Sequence, residues 1–327
     1  MQARYMLHLD DPSLFDLFLT KLNATIAQPT RSWPTVRCWE KRSLERLFAE
    51  ILSDPIKGVS LKGKFTYDGL LEHLCKIGLA YPIQTQTPSS SRRRTVRFYL
   101  LEIGSSQSSV SPLELLQAYS PEGVICYFTA VAFHSLTTQT SSHHHVAELQ
   151  RPASTASVPP IEKIQSTPQC KPPVSRNPLG TACFIHQDIP YYSTKRSRRL
   201  LPGFQTRNLG PRTRFRITTL EQTLLDTLVK PFHCGGPSVI FEAWEAGLQR
   251  VDEDRLAEYL TRMSYPASTR RLGAMLDVFD YKPQPVLGQI LSSCQSTIDR
   301  YADHSRISLL PGIPYSNFND KWHMDIP

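Results

Sequence analysis

The residues of this chain best suited to do chemistry are cations. Lys57, Lys62 and Lys64 precede a predicted helix that begins near Thr66, and Arg92, Arg93, Arg94 and Arg97 crowd the loop and strand after it. Cations in such a row replace counterions along a phosphate backbone, and a helix fits a DNA major groove about 12 Å wide. Thr66, Tyr67 and His73 would then lie on the exposed face of that helix, toward base edges. A second basic set comprises Lys195, Arg196, Arg198, Arg199, Arg207, Arg212, Arg214 and Arg216. On a strand, Arg212, Arg214 and Arg216 share one face by the period of two. A row of guanidiniums suits either phosphates or an acidic protein partner. A solvated sheet face opposite the core accounts for it equally well.

Other constellations point away from catalysis. His143, His144 and His145 are adjacent, so they cannot all point one way on a strand, and no nearby acid or cysteine completes a ligand set. They read as a polar strand entrance, and no metal is expected. Glu221 and Asp226 are five residues apart and would not share a helix face; capping accounts for Glu221. The chain has no Gly-rich phosphate loop, no GxSxG and no HExxH. We therefore expect neither an enzyme nor a cofactor, with a degenerate nuclease as a minor alternative. The seven cysteines are scattered without a CxxC pair, as in reduced cytoplasmic proteins. No apolar run approaches the roughly 18 residues of a membrane span, and acids at Asp10 and Asp11 argue against a signal peptide. The formal net charge of +8 fits a polyanionic partner.

The elements that must position these residues follow from periodicity. Phe15, Phe18, Leu19 and Leu22 mark a helix over 12–27, and Leu44, Leu47, Phe48 and Ile51 mark a second over 39–52. Leu70, Leu71, Leu74 and Ile77 mark a third, capped by Thr66 and ended at Gly78. Strands at 79–83 and 96–100 flank the arginine-rich loop. Three helices followed by a basic-tipped hairpin is the order of a winged helix. A Ser/Gly hinge from Gly104 follows, and Pro112 opens the next helix. Residues 152–178 are Pro, Ser, Thr and Gln with few apolar side chains, the composition of a disordered insertion. Beyond them come short strands, the basic runs, and then RITTLEQTLLDTLVKPFHCGG. There Thr218 or Thr219 would cap a helix, with Glu221 or Gln222 completing a capping box. Leu224, Leu225 and Leu228 would face inward. Three further helices are predicted over 238–249, 252–263 and 268–279, and the segment from Leu309 reads as a surface tail. The fold class expected is α+β. It assigns 1–103 to a winged helix-turn-helix DNA-binding domain with an extra N-terminal helix, 111–300 to a mixed α/β domain with C-terminal helices, and 301–327 to the tail.

Two stretches carry a family resemblance. The TTLEQTLLD helix with its Pro and Gly-Gly, and the block from Pro121 and Gly123 through Thr129-Ala130 to His134, Leu136, Thr137 and Gln139, resemble the AbiEi-like abortive-infection antitoxins of type IV toxin–antitoxin systems. The resemblance covers most of residues 40–280. It implies a cytoplasmic transcriptional regulator that binds double-stranded DNA at its own promoter and represses its operon. It also implies an antitoxin domain at 111–300 that counters a cognate nucleotidyltransferase-like toxin, directly or only functionally. The second basic set would then serve DNA or toxin. The alternative is a DNA-binding accessory protein of a mobile element or phage-defence island without a toxin partner.

Overall fold

The computed structural model describes residues 12–55, 60–88, 95–102, 109–150, 178–300 and 306–327. In chain order the elements begin with α1 (Pro12–Thr25), β1 (Cys38–Glu40), α2 (Lys41–Ser53), α3 (Tyr67–Lys76), β2 (Ala80–Ile83) and β3 (Phe98–Leu101). Next come α4 (Pro112–Tyr119), β4 (Val124–Cys126), α5 (Phe128–Phe133), β5 (His144–Gln150), β6 (Phe184–His186), β7 (Ile189–Ser197), β8 (Phe204–Asn208) and β9 (Arg214–Thr218). The remainder is α6 (Leu220–Val229), α7 (Pro237–Leu248), α8 (Glu253–Met263), α9 (Pro266–Val278), α10 (Pro285–Arg300), β10 (Ile307–Ser308), β11 (Asn317–Asn319) and β12 (Met324–Ile326). The mixed α+β class expected from the sequence is what the molecule has. Among the described residues no helix is long and apolar enough to cross a membrane.

Two compact units are present, interleaved along the chain. The first comprises Met1–Gly123, Cys183–Tyr191 and Thr206–Arg216; the second comprises Val124–Ala182, Tyr192–Gln205 and Ile217–Pro327. The core of the first unit is built from α1, α2 and α3, where Phe18, Leu22, Leu44, Leu47, Leu70 and Leu74 are wholly buried. A three-stranded antiparallel sheet in the order β1-β3-β2 completes it, with Trp39 opposite Tyr99 and Tyr81 opposite Leu100. The periodicity puts the start of α2 at Trp39. Residues 38–40 are instead strand β1, and Glu40 caps the helix by accepting from the N–H groups of Arg42 and Ser43 at 3.0 and 3.3 Å. A side chain that takes up those orphan donors marks the last non-helical residue. Two short segments from later in the chain close the unit. Thr35 bridges Thr213, and Gln86 bridges Ile185.

In the second unit β4 pairs antiparallel with β5 and parallel with β9 at Ile125 and Ile217. Helices α6 to α9 pack around Trp244, Leu224, Leu256, Leu272 and Met275. Thr219 caps α6 by accepting from the Gln222 N–H. The expected capping box does not close, because the Gln222 amide turns instead to the Gly203 N–H and to Asp226. Glu221 is likewise drawn away and accepts from the Asp252 N–H. Helix α10 has no counterpart among the predicted elements.

The segment assigned to a surface tail is core. Leu309, Leu310 and Met324 are wholly buried, and β10, β12 and β11 form a small mixed sheet. Trp322 lies on α9 at Gly273, where a methyl group would come within 2.2 Å of the indole. Its Nε1 donates to Asp277 at 2.6 Å, and Arg270 donates to the carbonyls of Trp322 and His323. The Pro, Asn and Asp residues of 309–327 conceal this, although apolar side chains are as frequent there as in the rest of the chain. Trp322→Ala is expected to lower stability by about 3–5 kcal/mol, as for other large-to-small core changes. Urea denaturation of the full chain checks this; a loss under about 1 kcal/mol would restore the surface-tail assignment.

Candidate nucleic-acid interface

In the first unit, Thr66 starts α3 by accepting from the Gly69 N–H at 3.2 Å. Leu70, Leu71 and Leu74 turn inward, which leaves Tyr67, Asp68, Glu72 and Lys76 outward. Tyr67 is 42 % exposed at the first turn, as its assignment to the exposed face requires. His73 is not outward: its ring meets Phe15 of α1 edge-on at 4.5 Å. The helix therefore reaches solvent with Tyr67, two carboxylates and Lys76. Lys62 is exposed and Lys64 half-buried in the turn before α3; Arg97 is exposed before β3. Lys41 pairs with Asp68 at 2.7 Å and lies 3.6 Å from Glu45, and the hydrogen bond to Asp68 raises its pKa. Lys57, Arg92, Arg93 and Arg94 lie outside the described residues.

Arg42 and Arg46 on α2 are exposed, although the sequence reading assigns them no role. The signal for them is a spacing of four residues, opposite the Leu44, Leu47, Phe48 stripe.

The second basic set divides between the units. Arg207, Arg212, Arg214 and Arg216 belong to the first. The alternation expected along β9 holds there, with Thr213 and Phe215 buried and Arg214 exposed. Arg216 is engaged in structure: its guanidinium donates to the Glu122 carbonyl and its N–H to Gln117, both at 2.8 Å. Lys195, Arg198 and Arg199 lie on the second unit, where Arg198 and Arg199 are exposed.

Arg196 departs from the surface assignment. Its two terminal nitrogens donate to the two oxygens of Asp226 at 2.7 and 2.8 Å, and one also reaches the Leu200 carbonyl at 2.9 Å. Its guanidinium lies 5.2 Å from the Tyr127 ring centre, and the side chain is 9 % exposed. Desolvation opposes its charge most strongly, but the Asp226 carboxylate together with Tyr127 and Cys126 more than offsets it, so Arg196 stays protonated. On β7 the period of two puts Arg196 on the face of buried Tyr192 and Lys195 on the other. Reading the TKRSRR run by composition hides that.

The three histidines are not a polar entrance either. His143, His144 and His145 are all buried. Burial lowers the pKa of each, to about 4 for His144, because an imidazolium is poorly solvated there. Among the described residues no group of three or more His, Cys, Asp and Glu is arranged to hold a metal ion.

No family model and no curated protein matches the chain. Among solved structures it is similar to that of the RV2827C protein from Mycobacterium tuberculosis, at 12 % identity and a TM-score of 0.48, covering 96 % of this chain and 92 % of that one.

The buried ion pair generates a sharp expectation. Asp226→Asn would leave a guanidinium buried without its anion, lowering stability by about 3–5 kcal/mol. Replacing both partners with apolar residues of similar volume (Arg196→Met with Asp226→Leu) should lose much less. Urea denaturation of the two variants checks the order; equal losses would mean that the pair is not the source.

Proposed function

We propose that the chain is a DNA-binding transcriptional regulator and antitoxin of a type IV toxin–antitoxin system, its first unit a winged helix that binds the upstream DNA of its own gene. The observation that carries the reading is topological. The order α1-β1-α2-α3-β2-β3, with the sheet order β1-β3-β2, matches the sequence of elements in a winged helix. Strands β2 and β3 pair with Ile83 opposite Phe98, and Arg92, Arg93 and Arg94 fall in the stretch of chain between them, where a wing would be. Three arginines there suit phosphates or a narrow minor groove.

The base-reading assignment narrows to Tyr67 and Thr66, and Thr66 also spends its hydroxyl on the cap. With Asp68 and Glu72 outward on α3, affinity must come mainly from the cations around the helix. Arg42 and Arg46 join Lys62, Lys64 and Arg97 in that role.

The antitoxin half of the proposal rests on the resemblance of the second unit, and one hydrogen bond supports treating its two blocks as one structure. His134 bonds the Thr218 carbonyl at 2.7 Å, joining the first block to the start of α6. Thr137 and Thr138 hold the Glu242 carboxylate of α7, and Gln139 reaches Ser238.

Gel-shift titration of the full chain on its upstream DNA tests the first half. Arg92, Arg93 and Arg94 replaced together by Ala should weaken binding about 10-fold or more. The slope of log K against log salt should also flatten by about 0.9 for each phosphate that the variant no longer neutralises. Unchanged affinity and slope would remove the hairpin from the interface. Growth of cells expressing a neighbouring nucleotidyltransferase-like gene tests the second half, with rescue by the full chain expected. DNA binding without rescue would identify the accessory protein of a mobile element instead.

A further inference from the structure

The second unit contains an imidazole cluster that the proposed function does not use. His145 is wholly buried, and neither of its ring nitrogens has a hydrogen-bond partner. Its ring stacks on Tyr192 at 4.9 Å and meets Tyr127 edge-on at 5.3 Å. The rings of His143 and His233 each lie 5.0 Å from it. His143 is satisfied as a neutral ring, with Nε2 donating to the His233 carbonyl at 3.0 Å and Nδ1 beside Ser142 Oγ at 3.1 Å. His144, on the other face of β5, sits 3.2 Å from Thr129 Oγ1. That oxygen also accepts from the His145 N–H.

The charged groups facing this cluster offer an imidazolium no counterion. From β7 comes Arg196, over Tyr127; from the end of α6 come Asp226 and Lys230. The Asp226 carboxylate is already occupied by Arg196 and by the Gln222 amide. Cys126 of β4 and Cys234 of the turn after α6 are buried, and desolvation holds both as thiols. Tyr127 is likewise held as a neutral phenol. Each proton added to the cluster therefore meets two cations, a spent carboxylate and neutral neighbours.

We propose that this cluster makes the second unit acid-sensitive: the unit is folded while the imidazoles of His143, His145 and His233 are neutral, and it opens when they take up protons. Burial depresses all three, His233 to about 4. In the unfolded chain they titrate near about 6.5. The unfolded state thus binds more protons between those limits. The associated stability is full above about pH 6.5 and is lost as pH falls from there toward about 4.

The test is urea denaturation of the full chain from about pH 7.5 to 5, followed by tryptophan fluorescence, with Trp244 and Trp322 reporting the second unit. Below about pH 6.5 its unfolding constant should rise by up to about 10-fold per pH unit for each proton taken up, and by more than about 10-fold in total. His145→Phe keeps the ring stack and removes one titrating group. It should retain stability at about pH 7.5 and lessen the rise by up to about 10-fold per pH unit. A flat profile in the wild type, or the same slope in the variant, overturns the proposal. Should the variant not fold, the wild-type ring resonances decide by NMR. Rings that stay neutral until the unit unfolds support the proposal, and rings that protonate near about pH 6.5 in a folded protein refute it.

Discussion

The second unit is organised around one anion. Asp226 is wholly buried on α6 and accepts from both terminal nitrogens of Arg196 and from Gln222 one turn earlier. Burying a carboxylate alone would be prohibitive, so a cation must be delivered to it with both oxygens satisfied. That single requirement fixes the register of β7, which must present Arg196 inward, and the rotation of α6, which must present Gln222 and Asp226 together. It also places Tyr127 beneath the guanidinium, at the turn between β4 and α5, where its backbone takes a positive φ of 59°. A non-glycine residue persists in such a conformation only where its surroundings over-determine it. The threonines at the end of β9 and along α6 follow the same pattern. Thr218, Thr223 and Thr227 are buried, and each bonds a neighbouring hydroxyl, carbonyl or indole.

The first unit is governed by a different balance. Its helices are positioned by apolar stripes, and its charges stand at the margins of those stripes. Helix α3 is presented by Thr66 and buried by three leucines, so what it shows to solvent is decided by phase rather than by charge. The outcome is an exposed tyrosine followed by two carboxylates and Lys76, with Lys62 and Lys64 in the turn before the helix.

How legible this is in the sequence differs by kind of residue. The stripes of α1, α2, α3, α7, α8 and α9 are readable, because the period of 3.6 is a local property. The caps of Thr66, Thr219 and Asp252 are readable for the same reason. Polar residues with distant partners are not. Arg196 meets Asp226 across 30 positions, and His143 meets the His233 carbonyl across 90, so composition labels both runs as surface. The end of the chain misleads in the opposite direction. Pro, Asn and Asp are frequent over 309–327, yet Trp322 and two leucines suffice to hold it in the core.

The interleaving of the two units has a consequence for how the protein is made. The first unit needs Thr213 for its bridge to Thr35 and Ile185 for its bridge to Gln86. When the ribosome has released Gly123, that unit still lacks pieces that end only at Arg216. At about 5–20 residues per second, the missing residues take several seconds to emerge. During that interval α1, α2 and α3 stand on a nascent chain that still lacks both bridges. The first unit therefore cannot close as an N-terminal domain when its first segment emerges; it waits for Arg216, by which point much of the second unit has also been made.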